Sequence, residues 1–202
     1  MNPLMIFGYP IWVSDEVYKV TQDETNFILG LPKLPKVGET DNSISSDGYI
    51  LNHPELSNIR NFCDTQINKY FHELMEVHEQ TEIYITQSWA SYNSKGQNHH
   101  QHHHPNSIVS AVFYVTSDNT PLTIIRPEED IFPLRFNYKN MNGWNYNECS
   151  ISPSSGQMII FPSKIKHYVG ENTNETERVS IAMNTFVRGI MGTGVEKTEL
   201  KL

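Results

Sequence analysis

Cysteine is scarce in this sequence, and its scarcity excludes one class of protein. The 202 residues include only Cys63 and Cys149, which cannot form the disulfide framework of a small secreted domain. Two cysteines are typical of a reducing compartment. The first residues have neither the basic nor the long apolar segment of a signal peptide. We therefore expect a cytoplasmic protein.

Basic residues and long apolar runs are lacking too. The 15 Lys and Arg are outnumbered by 23 Asp and Glu, which gives a formal net charge of −8. No basic cluster offsets this balance locally, so a nucleic-acid partner is not expected. No apolar run reaches membrane-spanning length, so a membrane partner is not expected either.

What the sequence does contain predicts one domain, residues 1–202, built mainly from β-strands. In residues 1–81, apolar residues recur every three or four positions between Ile59 and Leu74, which predicts a helix. Residues 82–186 hold short runs rich in Val, Ile, Tyr, Phe and Thr, separated by turn residues. A helix packed on many short strands indicates a double-sheet jelly roll or barrel with an N-terminal helical support. Residues 187–202 form a C-terminal tail.

Histidine is concentrated in one place. The segment GQNHHQHHHPNS, residues 96–107, holds five of the nine histidines just before a strand-like run. Alternating residues of a strand face the same side, so His102 and His104 can converge on one point. Imidazole is a common ligand for Fe, Zn, Cu and Ni. The other histidine of the β-rich region, His167, is the candidate third ligand, although a solvated histidine-rich loop would produce the same run.

Further motifs surround these histidines in a fixed order. They are Gly96, HHHPNS at 102–107, AVFYV, Gly156, FPSKIKH and ERVSIAMN. This ordered set resembles the Fe(II)/2-oxoglutarate-dependent oxygenase superfamily, closest to its marine bacterial and cyanophage branch. The resemblance covers about residues 85 to 186 and implies a double-stranded β-helix.

Position 104 departs from the family pattern. The superfamily carries a carboxylate ligand there, and this sequence has a histidine. The resemblance therefore implies a metal site of His102, His104 and His167, which could bind Fe(II), or Ni or Zn as purified. His100 and His102 also share a face, so a register slipped by two residues stays open. The other histidines of the run are expected to point elsewhere: His99, His100 and His103.

The resemblance also implies a pocket for 2-oxoglutarate, which reacts together with O₂. The C5 carboxylate of 2-oxoglutarate needs a cation, and Arg178 stands where the superfamily places one. Ser180 shares the face of Arg178 and can donate a hydroxyl, and Tyr114 matches a strand tyrosine that contacts the same carboxylate. The candidates for the substrate side of the site are Trp89, Asn93, Arg126, Trp144 and Asn184.

These expectations lead to one function and two alternatives. The implied activity is that of an Fe(II)/2-oxoglutarate-dependent dioxygenase, which hydroxylates a small-molecule or peptidyl substrate and releases succinate and CO₂. A three-histidine, cupin-like oxygenase that does not use 2-oxoglutarate would explain His104 equally well, but it would leave Arg178 without a role. A non-catalytic metal-binding β-barrel is the other alternative. The sequence identifies neither the substrate nor the oligomeric state.

Overall fold

Two α-helices lie in the N-terminal part of the described residues, with two short 3₁₀ helices between them, Ile50–Asn52 and Pro54–Leu56. The computed structural model describes residues 8–35, 38, 41–116, 120–127 and 136–201. Helix α1 spans Gln22–Leu29, and helix α2 spans Ser57–Asn68 and continues as a π-helical turn, Lys69–Leu74. Helix α2 confirms the predicted helix. Among the described residues, no helix has the length and apolar character of a membrane span.

The described residues contain eleven strands, which form two antiparallel sheets. In chain order they are β1 Trp12–Val13, β2 Ser43–Ile44, β3 Thr81–Asn93, β4 His99–His102, β5 Val109–Tyr114, β6 Leu122–Ile125, β7 Glu148–Ile151, β8 Met158–Pro162, β9 His167–Val169, β10 Arg178–Met191 and β11 Thr198–Leu200. The main sheet has the order β1-β8-β5-β10-β3-β2, with β11 also paired to β10, and the second sheet has the order β4-β9-β6-β7. The mainly β architecture that the sequence predicts is confirmed.

Strand β10 lies at the centre of the main sheet, between β3 and β5. Ser180 is opposite Ser91 on β3 and opposite Tyr114 on β5. Because side chains alternate along a strand, β10 presents one row to each face of the sheet. One row holds Arg178, Ser180, Ala182 and Asn184, and the other holds Val179, Ile181 and Met183. Strand β10 continues to Met191, so part of the predicted tail belongs to this strand and pairs with β3 and β11.

Apolar side chains pack on both faces of the main sheet. On one face, Ile59, Cys63 and Ile67 of α2 share a cluster with Ile181 of β10. Their spacing of four residues places the three helical side chains on one stripe. On the other face, Val112, Tyr114 and Phe161 pack against the second sheet through Leu122, Ile124 and Val169. The two sheets therefore enclose a space between them, and the three predicted ligand histidines and Arg178 line it.

Candidate metal and co-substrate site

Three histidines converge between the two sheets. His102 ends β4, His167 begins β9, and the two residues are opposite each other in the register, with ring centroids 4.4 Å apart. His104 lies two residues beyond β4, and its ring centroid is 5.0 Å from that of His102 and 5.1 Å from that of His167. One ligand nitrogen of each ring lies within 4.8 Å of the others. This spacing brings all three within reach of a single ion.

A short turn carries His104 from the end of β4 to its place beside His167. The His104 amide donates to the Ser163 carbonyl at 3.0 Å. Asn106 has a φ of 59°, a left-handed conformation that asparagine tolerates better than most residues. The Ser163 hydroxyl donates to Ser107 Oγ at 2.7 Å. These bonds tie the turn that holds His104 to the segment that precedes His167.

Hydrogen bonds orient two of the three rings. His102 Nδ1 lies 2.7 Å from the His100 carbonyl oxygen, and His167 Nδ1 lies 3.0 Å from the Ile165 carbonyl oxygen. A carbonyl oxygen only accepts, so Nδ1 carries the proton in both rings. Each Nε2 then keeps its lone pair for a metal ion.

The surroundings of the cluster favour neutral imidazoles. Burial, followed by the neighbouring imidazoles, lowers the pKa of His104 to about 3 and the pKa of His167 to about 4. Burial also lowers the pKa of His102. At neutral pH the three rings are therefore uncharged, which is the form of imidazole that binds metals.

His99 lies in the pocket, and the expectation that it points elsewhere is wrong. Its ring stacks on that of His102 at a centroid distance of 4.2 Å, and it lines the same pocket. The register against β9 shifts between His99 and His102, so alternation fails within β4. His100 and His103 are exposed. No pattern in the sequence distinguishes this bulge from a regular strand, which is why His99 was missed.

Arg178 opens β10 inside the pocket. The residue is 2% exposed, and its guanidinium carbon lies 5.1 Å from the ring centroid of Tyr114. Its Nε and Nη1 are buried with no hydrogen-bond partner in the described part of the chain, and so is Nδ2 of Asn93, directly opposite in the register. A buried donor without a partner is costly, and more so on a charged group. This end of the pocket is therefore suited to a buried anion.

Alternating side chains of the main sheet form one wall of the pocket. Trp89, Ser91 and Asn93 of β3 line it together with Ser180 and Ala182 of β10. The three β3 residues therefore share one face of the strand. The ring of Trp89 is 5.7 Å from that of His104, so Trp89 lies beside the histidines. Asn93 is opposite Arg178 in the register and lines the same end of the pocket, and its predicted contact with substrate stays a prediction.

The three remaining substrate-side candidates have other surroundings. Asn184 is buried, and its amide accepts from Ser110 Oγ at 3.0 Å and donates to Gln87 Oε1 at 3.1 Å. Arg126 follows β6, and its Nη2 donates to the Trp144 carbonyl at 3.2 Å. The Trp144 residue is 45% exposed. As far as the structure describes the chain, none of the three joins the walls around the histidines.

The central part of the chain matches a known family. Residues 87–184, just under half of the chain, match the family model described as "Putative 2OG-Fe(II) oxygenase". The match is to the 2OG-Fe(II) oxygenases. It includes the three clustered histidines and Arg178. No curated relative matches the chain.

Solved structures of 2OG-Fe(II) oxygenases share the fold at low sequence identity. An oxidoreductase of this family from Burkholderia pseudomallei is 16% identical, with a TM-score of 0.55 over 80% of this chain and 74% of that one. HygX from Streptomyces hygroscopicus, solved with nickel, 2-oxoglutarate and hygromycin B, is 10% identical, with a TM-score of 0.59 over 88% and 82%. A Pseudomonas putida prolyl-4-hydroxylase is 12% identical, with a TM-score of 0.58 over 90% and 94%. The predicted double-stranded β-helix is confirmed.

Proposed function

We propose that this protein is an Fe(II)/2-oxoglutarate-dependent dioxygenase that hydroxylates a small-molecule or peptidyl substrate. One observation carries the proposal: a cluster of three neutral histidines and a buried arginine with unpaired nitrogens line the same pocket. The proposal includes the cytoplasmic location expected from the two cysteines. Placement in the marine bacterial and cyanophage branch rests on the sequence motifs alone.

The histidine cluster fits a divalent metal ion. The proposed ligands are His102, His104 and His167, through Nε2 in the two rings whose Nδ1 faces a carbonyl. Imidazole suits Fe(II), and also Zn(II) and Ni(II), which bind such sites at least as tightly. Three neutral ligands leave the full charge of the ion in place. An anion bound beside that ion would therefore be stabilised.

The anion end of the pocket fits the far carboxylate of 2-oxoglutarate. The Arg178 guanidinium can pair with a carboxylate bidentately and cannot lose its charge. The Tyr114 ring supports it from one side, and Ser180 and Asn93 can add neutral donors. With the metal at one end and Arg178 at the other, this chain would hold a dicarboxylate across the pocket.

The residues of this chain would bind and orient the reactants rather than move protons. When bound, iron, 2-oxoglutarate and O₂ supply the oxidising chemistry, with succinate and CO₂ as products. The lowered pKa values keep the histidines neutral, so they serve as ligands and not as acids. Trp89, Val112 and Leu122 give this part of the pocket apolar walls, which would limit the access of water to the reactants.

One observation favours a second candidate, the three-histidine oxygenase that does not use 2-oxoglutarate. His104 stands where the superfamily that the sequence resembles carries a carboxylate, and no acidic side chain of the described residues joins the histidine cluster. Arg178 weighs against this candidate, and against a non-catalytic metal-binding barrel. Neither alternative provides an anion for a buried guanidinium that faces the pocket.

Product analysis separates the three functions. The protein would be loaded with Fe(II) and supplied with O₂, 2-oxoglutarate and a panel of small molecules and peptides, while O₂ uptake and succinate are measured. We expect succinate release that requires both iron and 2-oxoglutarate. Uptake of O₂ without succinate would overturn the proposal in favour of the second candidate. The absence of both, in protein that binds metal, would overturn it in favour of the barrel.

A further inference from the structure

Arg126 continues the inward row of the second sheet. Leu122 and Ile124 of β6 pack into the core between the sheets. Backbone pairing extends one residue past the strand, because the Arg126 amide donates to the Asn147 carbonyl at 2.8 Å. Side chains alternate along paired backbone, so Arg126 starts out on the same face as Leu122 and Ile124.

The position of Arg126 along this row puts it on the far side of the histidines from Arg178. Leu122 is opposite Val169, and both line the pocket with Arg178. Ile124 is opposite His167, so it marks the level of the histidine cluster. Arg126 lies two residues beyond Ile124, roughly 7 Å further along the strand. Along this row, the level of His167 therefore lies between Leu122 and Arg126.

One nitrogen of the Arg126 guanidinium has a hydrogen-bond acceptor among the described residues, and another, which is buried, has none. Its Nη2 donates to the Trp144 carbonyl, while Nη1 is buried with no hydrogen-bond partner in the portion of the chain that the structure describes. The ion pairs of that portion do not include Arg126. A guanidinium stays charged in proteins, so a buried unpaired nitrogen on it favours an arriving anion.

We infer that Arg126 binds a carboxylate of the prime substrate. The inference rests on the proposed function, in which Arg178 takes the 2-oxoglutarate carboxylate. The two arginines would then divide two acidic groups between them, one on each side of the metal. The Trp144 carbonyl fixes one edge of the Arg126 fork and leaves Nη1 for the substrate. A carboxylate suits this fork because its oxygens accept charge-assisted hydrogen bonds.

Matched acids and amides test this assignment. The protein would be loaded with Zn(II), which has no redox chemistry, and saturated with 2-oxoglutarate, whose affinity is measured first. Phenylacetate, N-acetylglycine and N-acetylleucine, each alongside its carboxamide, would then be titrated calorimetrically. The variants are Arg126→Gln, Arg126→Lys and the control Arg188→Gln, which removes an equal charge from an exposed arginine paired with Glu82.

We expect at least one acid to bind and its amide to bind roughly ten- to hundredfold more weakly. Arg126→Gln should remove this preference, Arg126→Lys should keep part of it, and Arg188→Gln should keep all of it. Unchanged 2-oxoglutarate affinity in Arg126→Gln would show that the variant is folded. Equal binding of acid and amide, no binding of any acid, or a preference that survives Arg126→Gln would overturn the inference. Failure of 2-oxoglutarate to bind the wild type would instead overturn the proposed function.

Discussion

A single side chain, at position 104, alters the charge of the proposed metal site. The superfamily that the sequence resembles places a carboxylate there, and His104 supplies a neutral ring that stacks near His167 at an interplanar angle of 29°. In the proposed site this ring would take the ligand position, so the site would keep three ligands and carry one negative charge fewer. That loss weakens the attraction between the ligands and a divalent ion.

Restoring the carboxylate should therefore strengthen iron binding. We expect His104→Asp to bind Fe(II) more tightly than the wild type. His104→Ala should bind it more weakly by more than about tenfold, since loss of a ligand exceeds the usual effect of losing a supporting residue. Anaerobic calorimetric titration with Fe(II) measures both changes. His103→Asp is the control, because it adds the same charge at an exposed neighbour. Equal affinities for His104→Asp and His103→Asp would contradict a ligand role for position 104.

The sequence predicted the cluster better than its surroundings. The sequence could predict four residues of the site, because each belongs to a motif in a fixed order: His102, His104, His167 and Arg178. The position of His99 could not be predicted, because a bulge turns its side chain to the other face of the strand and leaves no mark in the sequence. Nor could the sequence predict that Arg178 and Arg126 have nitrogens without a hydrogen-bond partner among the described residues. They follow from which residues surround each guanidinium, and no local pattern encodes that.

At the scale of elements, apolar strands were predictable and short polar ones were not. The strands β3, β5, β6, β8, β9 and β10 appear in the sequence as runs rich in Val, Ile, Phe and Tyr. Strand β7 has the sequence ECSI, which is typical of a loop in composition, and the strand is mostly exposed. Strand β4 has the polar sequence HHQH, which does not favour a strand. It forms because its backbone pairs with β9. Such strands form because a neighbour offers backbone partners.

Helix α1 illustrates an element held by its cap. The Thr21 hydroxyl accepts from the Glu24 amide at 3.2 Å, and the Glu24 carboxylate accepts from the Thr21 amide at 2.8 Å. The Ile28 carbonyl of α1 accepts from the Tyr92 hydroxyl at 2.6 Å. Tyr92 lies on β3 between two pocket residues, so α1 braces the back of the strand that forms the pocket wall.

Removing the cap should lower stability without affecting the metal site. We expect Thr21→Ala to reduce the free energy of unfolding by about 1 kcal/mol, because the Glu24 amide in the first helical turn loses its side-chain acceptor. Urea denaturation of the metal-free protein measures the change. Thr65→Ala, an exposed threonine within α2, should change stability by less than about 0.5 kcal/mol. Equal stabilities of the two variants would rule out a capping role for Thr21.

At the scale of the whole molecule, the site exists because two sheets face each other. The second sheet contributes His102 and His167, and the main sheet contributes Arg178 and the wall around it. Neither sheet alone brings the histidine cluster and the Arg178 guanidinium into one pocket. The order of strands within each sheet cannot be deduced from strand composition. The family resemblance implied a double-stranded β-helix, and the structure confirms that fold.

The most direct test of this account is the affinity for 2-oxoglutarate when Arg178 is removed. It would be measured by calorimetric titration with metal saturating, in the wild type, in Arg178→Ala and in the control Arg188→Ala. We predict that Arg178→Ala weakens 2-oxoglutarate binding by about 2–5 kcal/mol, since a buried carboxylate loses its partner. That is roughly 30-fold to several thousand-fold. Metal affinity should persist, and Arg188→Ala should match the wild type. Equal 2-oxoglutarate affinities in the wild type and Arg178→Ala would contradict the account.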